Sequence, residues 1–149
     1  MLKLVRTDSN HAGFRELVPL LDQYLAIMDG EEHAFYAQYN KVDTIRHCMV
    51  GYWEDLPVAI GAIRAFDDQT MEVKRMFVMP EQRGRGFAGQ VLQNLEQWAQ
   101  ELGFKRCVLE TGKRQPEAIA LYLKSGYKVI PSYGQYVNME NSVCMEKYL

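Results

Sequence analysis

Apolar positions recur three and four residues apart between residues 10 and 28, at Phe14, Leu17, Leu21, Tyr24, Leu25 and Met28, and this spacing predicts a helix. Pro19 lies inside it and is expected to kink the helix or divide it in two, because proline has no N–H to give the preceding turn. Asp29-Gly30 ends it, and a second short helix or helical turn is expected over residues 33–39. The period then changes. Residues 47–53, 58–66 and 71–78 are rich in β-branched and aromatic side chains. Glu54-Asp55-Leu56-Pro57 and Asp67-Asp68-Gln69 separate them as turns, which predicts an antiparallel meander closed by Pro80.

The clearest helix follows. Ala88, Val91, Leu92, Leu95, Trp98, Ala99 and Leu102 share one face, and Gly103 stops it. Cys107-Val108-Leu109 reads as a short buried strand. Pro116 suits the first turn of another helix that ends at Gly126, and residues 127–130 and 142–146 read as the last strands. With a short strand over residues 2–6, the order predicts an α/β fold with one mixed, mostly antiparallel central sheet flanked by helices.

Composition narrows the function. A chain of 149 residues with 48% apolar and 24% charged positions has the balance of one soluble domain over residues 1–149. The net charge of -2 weighs against a broad nucleic-acid face. No apolar run approaches the ~20 residues of a membrane span. Thr7, Asp8, Ser9 and Asn10 come too soon after the start for a signal peptide, so a cytoplasmic location is expected. Cys48, Cys107 and Cys144 have neither CxxC nor zinc spacing, which predicts buried free thiols and no metal.

The densest chemical signal is Arg83-Gly84-Arg85-Gly86-Phe87-Ala88, between a strand and the strongest helix. Glycines let main chain approach a ligand, and first-turn N–H groups point outward with partial positive charge, a combination that suits a pyrophosphate. Taken alone, the segment is equally a flexible turn. It lacks the Lys-Ser/Thr of a Walker loop and the placement of a dinucleotide fingerprint.

This segment resembles the acyl-CoA signature Gln/Arg-x-x-Gly-x-Gly/Ala of the GCN5-related N-acetyltransferases. The stretch from Gln115 to Tyr127, with Ala118, Leu121, Tyr122, Gly126 and Tyr127 in step, resembles that family's second signature, with Gln115 where Asn is usual. The likeness is close over about residues 57–130. It implies a splayed strand pair in the sheet and acetyl-CoA as co-substrate. The pantetheine arm is then expected beside Phe77 and Val78, and the pyrophosphate on the amides of Gly84 to Gly89. Arg83, Arg85, Phe87 and Ala88 belong to the same cradle. Gln115 is expected on the pantetheine, or else only as a helix cap. Tyr122 is expected to protonate or stabilise the leaving thiolate, or else to pack. Glu72, eleven residues before Arg83, matches the glutamate base of the histone-acetylating branch; the alternative is an exposed glutamate near a turn. Lys74 and Arg75 are expected to pair with carboxylates across the sheet.

For the acceptor, Asp29, Glu31, Glu32 and His33 with Phe35, Tyr36 and Tyr39 would suit a cationic amine. The bland alternative is a solvated acidic turn on an amphipathic helix. Tyr133 and Tyr136 lie in the loop before the last strand and either line the cleft or pack the loop. The resemblance implies acetyl transfer to a primary amine of a small molecule. A peptide or protein acceptor, a non-catalytic acyl-CoA sensor and a homodimer stay open as alternatives. His11 and His47 are expected to be structural or surface residues.

Overall fold

The structure, a computed structural model, describes residues 1–39 and 44–149. Its centre is a seven-stranded sheet in the order β1-β2-β3-β4-β5-β7-β6. The strands are β1 (Lys3–Thr7), β2 (His47–Trp53), β3 (Leu56–Ala65), β4 (Thr70–Val78), β5 (Arg106–Gly112), β6 (Lys128–Ile130) and β7 (Ser142–Tyr148). Among the described residues only the β4–β5 pair is parallel, and the 15-residue helix α3 (Phe87–Glu101) makes the crossover between those two strands. The meander is as read, with one difference: the first turn is tighter. Trp53 pairs with Leu56, so Glu54 and Asp55 alone reverse the chain, at φ of 50° and 66°. Positive φ at both central residues is the type I′ pattern, whose twist matches that of the flanking strands.

Each face of the sheet has its own core. Val91, Leu92, Leu95 and Ala99 of α3 pack on one face, and Phe14, Leu17 and Leu21 of α1 (Ala12–Asp29) pack on the other against Cys48, Val50, Ile60 and Ala62. β3 lies between them, which explains its unbroken apolar run in place of alternation. Of the two outcomes expected at Pro19, division does not occur: α1 runs on through it as one helix. Pro19 and Arg15 are both exposed, so the carbonyl that proline leaves without a donor can be solvated. Two further helices, α2 (His33–Tyr39) and α4 (Pro116–Lys124), stand at the parting of β4 and β5. The side chain of Tyr39 lies outside the described residues. All three cysteines are free and buried, and burial pushes the Cys48 and Cys107 thiols up to about 12. His11 bonds Tyr52 and His47 packs edge-on to Trp98, both structural roles. Among the described residues, no helix is long and apolar enough to cross a membrane.

Candidate active site

β4 and β5 pair only where residues 70–72 meet residues 106–108; beyond that the strands part. The cause is local. From Ile60 to Ala62 β3 advances two residues, while β4 advances three from Lys74 to Phe77. The extra residue makes a bulge at Arg75, whose φ is 59°, and a bulge bends its strand. Gly61 stands across from it. A Cβ there would come within 2.8 Å of Val91 and Leu95 and 2.7 Å of the Met76 sulfur, so glycine is what lets α3 close on the bent strand.

Two clefts open from this parting. The first lies between β4, α3 and α4. Phe77 and Val78 form its strand side, Arg83, Gly84, Gly86, Phe87, Ala88 and Gly89 its rim, and Gln115 its α4 side. Gly84 and Gly86 both have φ of 80°, a region that disfavours any side chain, and a Cβ at either would meet nothing within 4 Å. α3 starts directly after them, with no side-chain cap and no acidic residue in its first turn. Its leading amides are therefore without helical partners beside open space, the arrangement that accepts an anion.

The two arginines of the motif do separate work. Arg83 donates from Nε to the Val78 carbonyl at 3.0 Å and lies over Tyr24 and Phe77, which fixes the end of β4. Arg85 does not line the cleft; it lies over Trp53, 4.1 Å from the ring centre, and beside Phe87. Gln115 occupies the cap position of α4 but makes no side-chain capping bond, and it borders both clefts.

The second cleft lies on the α1–α2 side and is lined by titratable groups. Asp29, Tyr36, Glu72, Lys74, Arg75, Glu110, Tyr122 and Tyr136 all border it. Glu72 accepts a 2.6 Å hydrogen bond from the Tyr133 hydroxyl and stands 3.7 Å from Lys74. Arg75 meets Asp22 of α1, while Lys74 stands 3.7 Å from Glu72 of its own strand and its charge also acts on Glu110 of the neighbouring strand. Tyr36 and Ser142 share a 2.9 Å hydrogen bond, and the Tyr36 and Tyr136 rings stack. Glu32 lines neither cleft; Asp29, one helical turn earlier, lines the second.

Two participants were not singled out in the sequence. Glu110 ends the buried run of β5 on the strand face shared with Val108, which lies opposite Glu72. Burial, with Asp29 and Glu72 adding repulsion, pushes its carboxyl up to about 7, against the opposing pull of Ser142 and Lys74. The alternation of β5 carries a signal, because a charged residue at a sheet-facing position needs a reason. Arg114 reaches from the β5–α4 loop to the carbonyls of Met28 and Asp29, at 3.4 and 3.2 Å, and so ties the end of α1 over the cleft. No sequence pattern marks that contact. Burial also raises the Asp29 carboxyl, while its 3.4 Å contact with His33 opposes the rise.

Tyr122 borders both clefts, as do Met76, Leu21, Gln115 and Ala118. It is 7% exposed, and burial, with Glu110 adding to it, raises its phenol, so the hydroxyl stays protonated across neutral pH.

A cleft suited to an anion at a helix start, joined to a second cleft lined by acids and phenols, is compatible with an acyltransferase that works from a CoA thioester. A sequence profile of the Acetyltransferase (GNAT) family matches residues 14–127, and the chain belongs to this family. It is 36% identical over 138 residues to an "IAA acetyltransferase" of Azospirillum brasilense, covering 90% of this chain and 89% of that protein. A Klebsiella pneumoniae structure assigned provisionally as an acyl-CoA N-acyltransferase superposes with a TM-score of 0.83 at 27% identity, over 100% of this chain and 98% of that one. A GNAT family acetyltransferase from Elizabethkingia anophelis shares the fold with a TM-score of 0.67 at 16% identity, over 99% and 98% of the two chains, and holds acetyl-CoA. The chain is thus an acetyltransferase of a family that uses acetyl-CoA.

Proposed function

We propose that the protein transfers the acetyl group of acetyl-CoA to a primary amine of a small molecule. The observation that carries this reading is the meeting of the two clefts at Tyr122 and Met76. A thioester in the first cleft and an amine in the second then face each other across one side chain. The first cleft fits the co-substrate, with unpartnered amides at the start of α3 for the pyrophosphate and an unpaired strand edge for the pantetheine. Acetyl-CoA supplies the activated carbonyl carbon; the protein supplies proton transfers and a place for negative charge.

The amine must be neutral to attack, and Glu110 is the group we assign to take its proton. A carboxyl held at about 7 is poised to gain and lose a proton near neutrality. Glu72, already held by Tyr133 and Lys74, is better suited to positioning, although it borders the same cavity. As nitrogen bonds to the carbonyl carbon, charge builds on the carbonyl oxygen. Met79 donates its N–H to Val58 across the β3 edge, and main-chain groups alternate along a strand. That alternation turns the groups of Val78, and not those of Phe77, toward the parted side. With the Val78 carbonyl held by Arg83, its N–H is the donor for the oxyanion. The oxyanion then re-forms the carbonyl as the carbon–sulfur bond breaks; the Tyr122 hydroxyl gives its proton to the departing thiolate and regains one from the nitrogen, which still carries the surplus proton of the attack.

The test is a thiol-release assay with acetyl-CoA over amines, polyamines, amino acids and amine-bearing peptides. Release with at least one small amine and acetylation of that amine by mass are expected. Release only with peptides would overturn the small-molecule part. Acetyl-CoA binding without release on any acceptor would overturn the transferase reading in favour of a sensor.

A further inference from the structure

Glu110 is the carboxyl assigned to take the proton of the amine, and its surroundings leave it little tendency to ionise. Burial pushes its pKa up, Asp29 and Glu72 add repulsion, and the strongest counterweight is a hydrogen bond with Ser142, ahead of the Lys74 charge. The sheet explains how that bond arises. Along the antiparallel β5–β7 pair Glu110 stands opposite Cys144 and Gly112 opposite Ser142. Ser142 is therefore the diagonal neighbour of Glu110 on the same face, and Gly112 has no side chain to compete for its hydroxyl. Ser142 also meets Tyr36 of α2, with 2.9 Å between the two hydroxyl oxygens. The pair is shielded from water, since Tyr36 is 4% exposed and Ser142 7%. The Tyr36 ring stacks on Tyr136, which limits its freedom to turn away.

A serine hydroxyl carries one proton, so it can donate to Glu110 or to Tyr36 but not to both. A phenol is more acidic than an alkyl hydroxyl and is the better donor of the two. With Tyr36 donating to Ser142, the serine proton is left for Glu110, and the chain ends on an acceptor that must be a carboxylate. Run the other way, Ser142 gives its proton to Tyr36 and Glu110 has to keep its own. We infer that Ser142, oriented by Tyr36, is a positioning residue that holds Glu110 in its proton-accepting form, an inference that rests on Glu110 being the base of the proposed transfer. Away from water each hydrogen bond of such a chain strengthens the next. The other groups facing Glu110 do not replace this contact. Asp29 of α1 and Glu72 of β4 repel its charge, and Lys74 of β4 is shared with Glu72, 3.7 Å away. Arg75, which borders the same cavity, is paired with Asp22. Burial raises the Tyr36, Tyr122 and Tyr136 phenols and the Cys144 thiol, so all four stay neutral.

The experiment follows the Glu110 side-chain carboxyl by carbon-13 NMR across pH, in protein carrying labelled glutamate, with the signal identified by its loss in Glu110→Gln. The midpoint of the unaltered protein is expected near about 7. Ser142→Ala should raise it by about one pH unit, the worth of one hydrogen bond to a charged group. Tyr36→Phe keeps the stacked ring and should raise it by about half as much. Ser142→Thr keeps a hydroxyl and should leave it where it was. The inflection of kcat/KM for an acetylated amine should move with the midpoint. Ser142→Ala then loses about tenfold below pH ~7 and recovers the loss above pH ~9, whereas a merely structural role would lower the rate alike at every pH. An unmoved midpoint in Ser142→Ala, or one raised equally in Ser142→Thr, overturns the inference and leaves the transferase reading standing. Should Ser142→Ala fail to fold, Tyr36→Phe decides, and an unmoved midpoint there overturns it. A midpoint that moves as expected, beside a rate profile that neither these variants nor Glu110→Gln alter, overturns Glu110 as the base but leaves the hold of the hydroxyl pair on its carboxyl established.

Discussion

The cleft between β4, α3 and α4 is lined mainly by main chain, glycine and apolar carbon, whereas its neighbour on the α1–α2 side is lined by three carboxylates, two cations and three phenols. The first needs little from any one side chain. Its donors are amides whose direction follows from the start of a helix, so it is built wherever two glycines precede α3. The second has no such template. Its groups come from α1, α2, β4, β5, α4 and the loop before β7, and only the assembled fold brings them together. The cleft proposed for the cofactor is thus a property of one segment, and the cleft proposed for the acceptor a property of the whole sheet.

The largest effect should come from filling the first cleft. Gly89 lies in the opening turn of α3, and a Cβ there meets nothing within 4 Å. It carries no backbone demand, unlike Gly84 and Gly86. Gly89→Glu should therefore keep its circular dichroism and melting profile. It should weaken acetyl-CoA about a hundredfold or more by setting a carboxylate against the phosphates. Unchanged calorimetric affinity would remove the pyrophosphate from the start of α3 and undo the contrast between the two clefts.

Next comes the junction. Tyr122→Phe keeps a ring that packs edge-on to Tyr127, with centres 5.9 Å apart. Turnover should fall roughly ten- to a thousandfold with the acetyl-CoA Kd unchanged, because charge on sulfur appears only as the bond breaks. A wild-type rate where chemistry limits would make this tyrosine a packing residue.

The acid side is separated by pH. kcat/KM should rise with pH through about 7 as Glu110 loses its proton, and that inflection should vanish in Glu110→Gln. In Glu72→Gln it should persist. If the inflection instead vanishes there, and the Glu72→Gln defect shrinks as pH rises, Glu72 is the base. Stability gives an independent reading. The folded carboxyl of Glu110 titrates above its unfolded value of 4.5, so the native state binds more protons between the two values. Its contribution is therefore fully present below about 4.5 and is lost as pH rises through about 7. The total is up to about 3 kcal/mol. Melting at pH 5 and pH 8 should show Glu110→Gln gaining on the parent protein at the higher pH.

The same contrast explains what the chain's own pattern disclosed. The motif from Arg83 to Ala88 and the strands flanking it were legible because their geometry is local. Only Arg85 turned elsewhere, toward Trp53, a contact between β2 and the loop before α3. Glu72, Tyr36 and Tyr136 were readable as candidates, and all three border the acceptor cleft. Glu110 was not, because its environment is created by the pairing of β5 with β7 and by the approach of Asp29. Asp29, Glu31 and Glu32 read alike as an acidic cluster, but helix phase decides which acid faces inward, and α1 ends with Asp29 buried. The bulge at Arg75 was silent as well, since its register is a relation between strands and its φ is imposed on an ordinary residue.

The smallest effect should come from the loop that closes the acceptor side. Tyr133 donates to Glu72 at 2.6 Å, and its ring packs on Phe66 and Tyr136 with centres 5.1 and 5.8 Å away. Tyr133→Phe retains those ring contacts and removes one hydrogen bond to a carboxylate, a loss of about 1.5–3 kcal/mol where the bond is fully buried. Lys74 still stands 3.7 Å from Glu72, so the carboxylate is not left alone and the loss should lie at or below the lower end. The loop then holds Glu72 less firmly while the cofactor side is untouched. The acceptor KM should rise about three- to tenfold with little change in kcat, and the acetyl-CoA KM should not move. A change confined to the acetyl-CoA KM would mean that the loop before β7 serves the cofactor cleft. The division of labour between the two clefts would then be wrong at the loop, even if it held at Gly89 and Glu110.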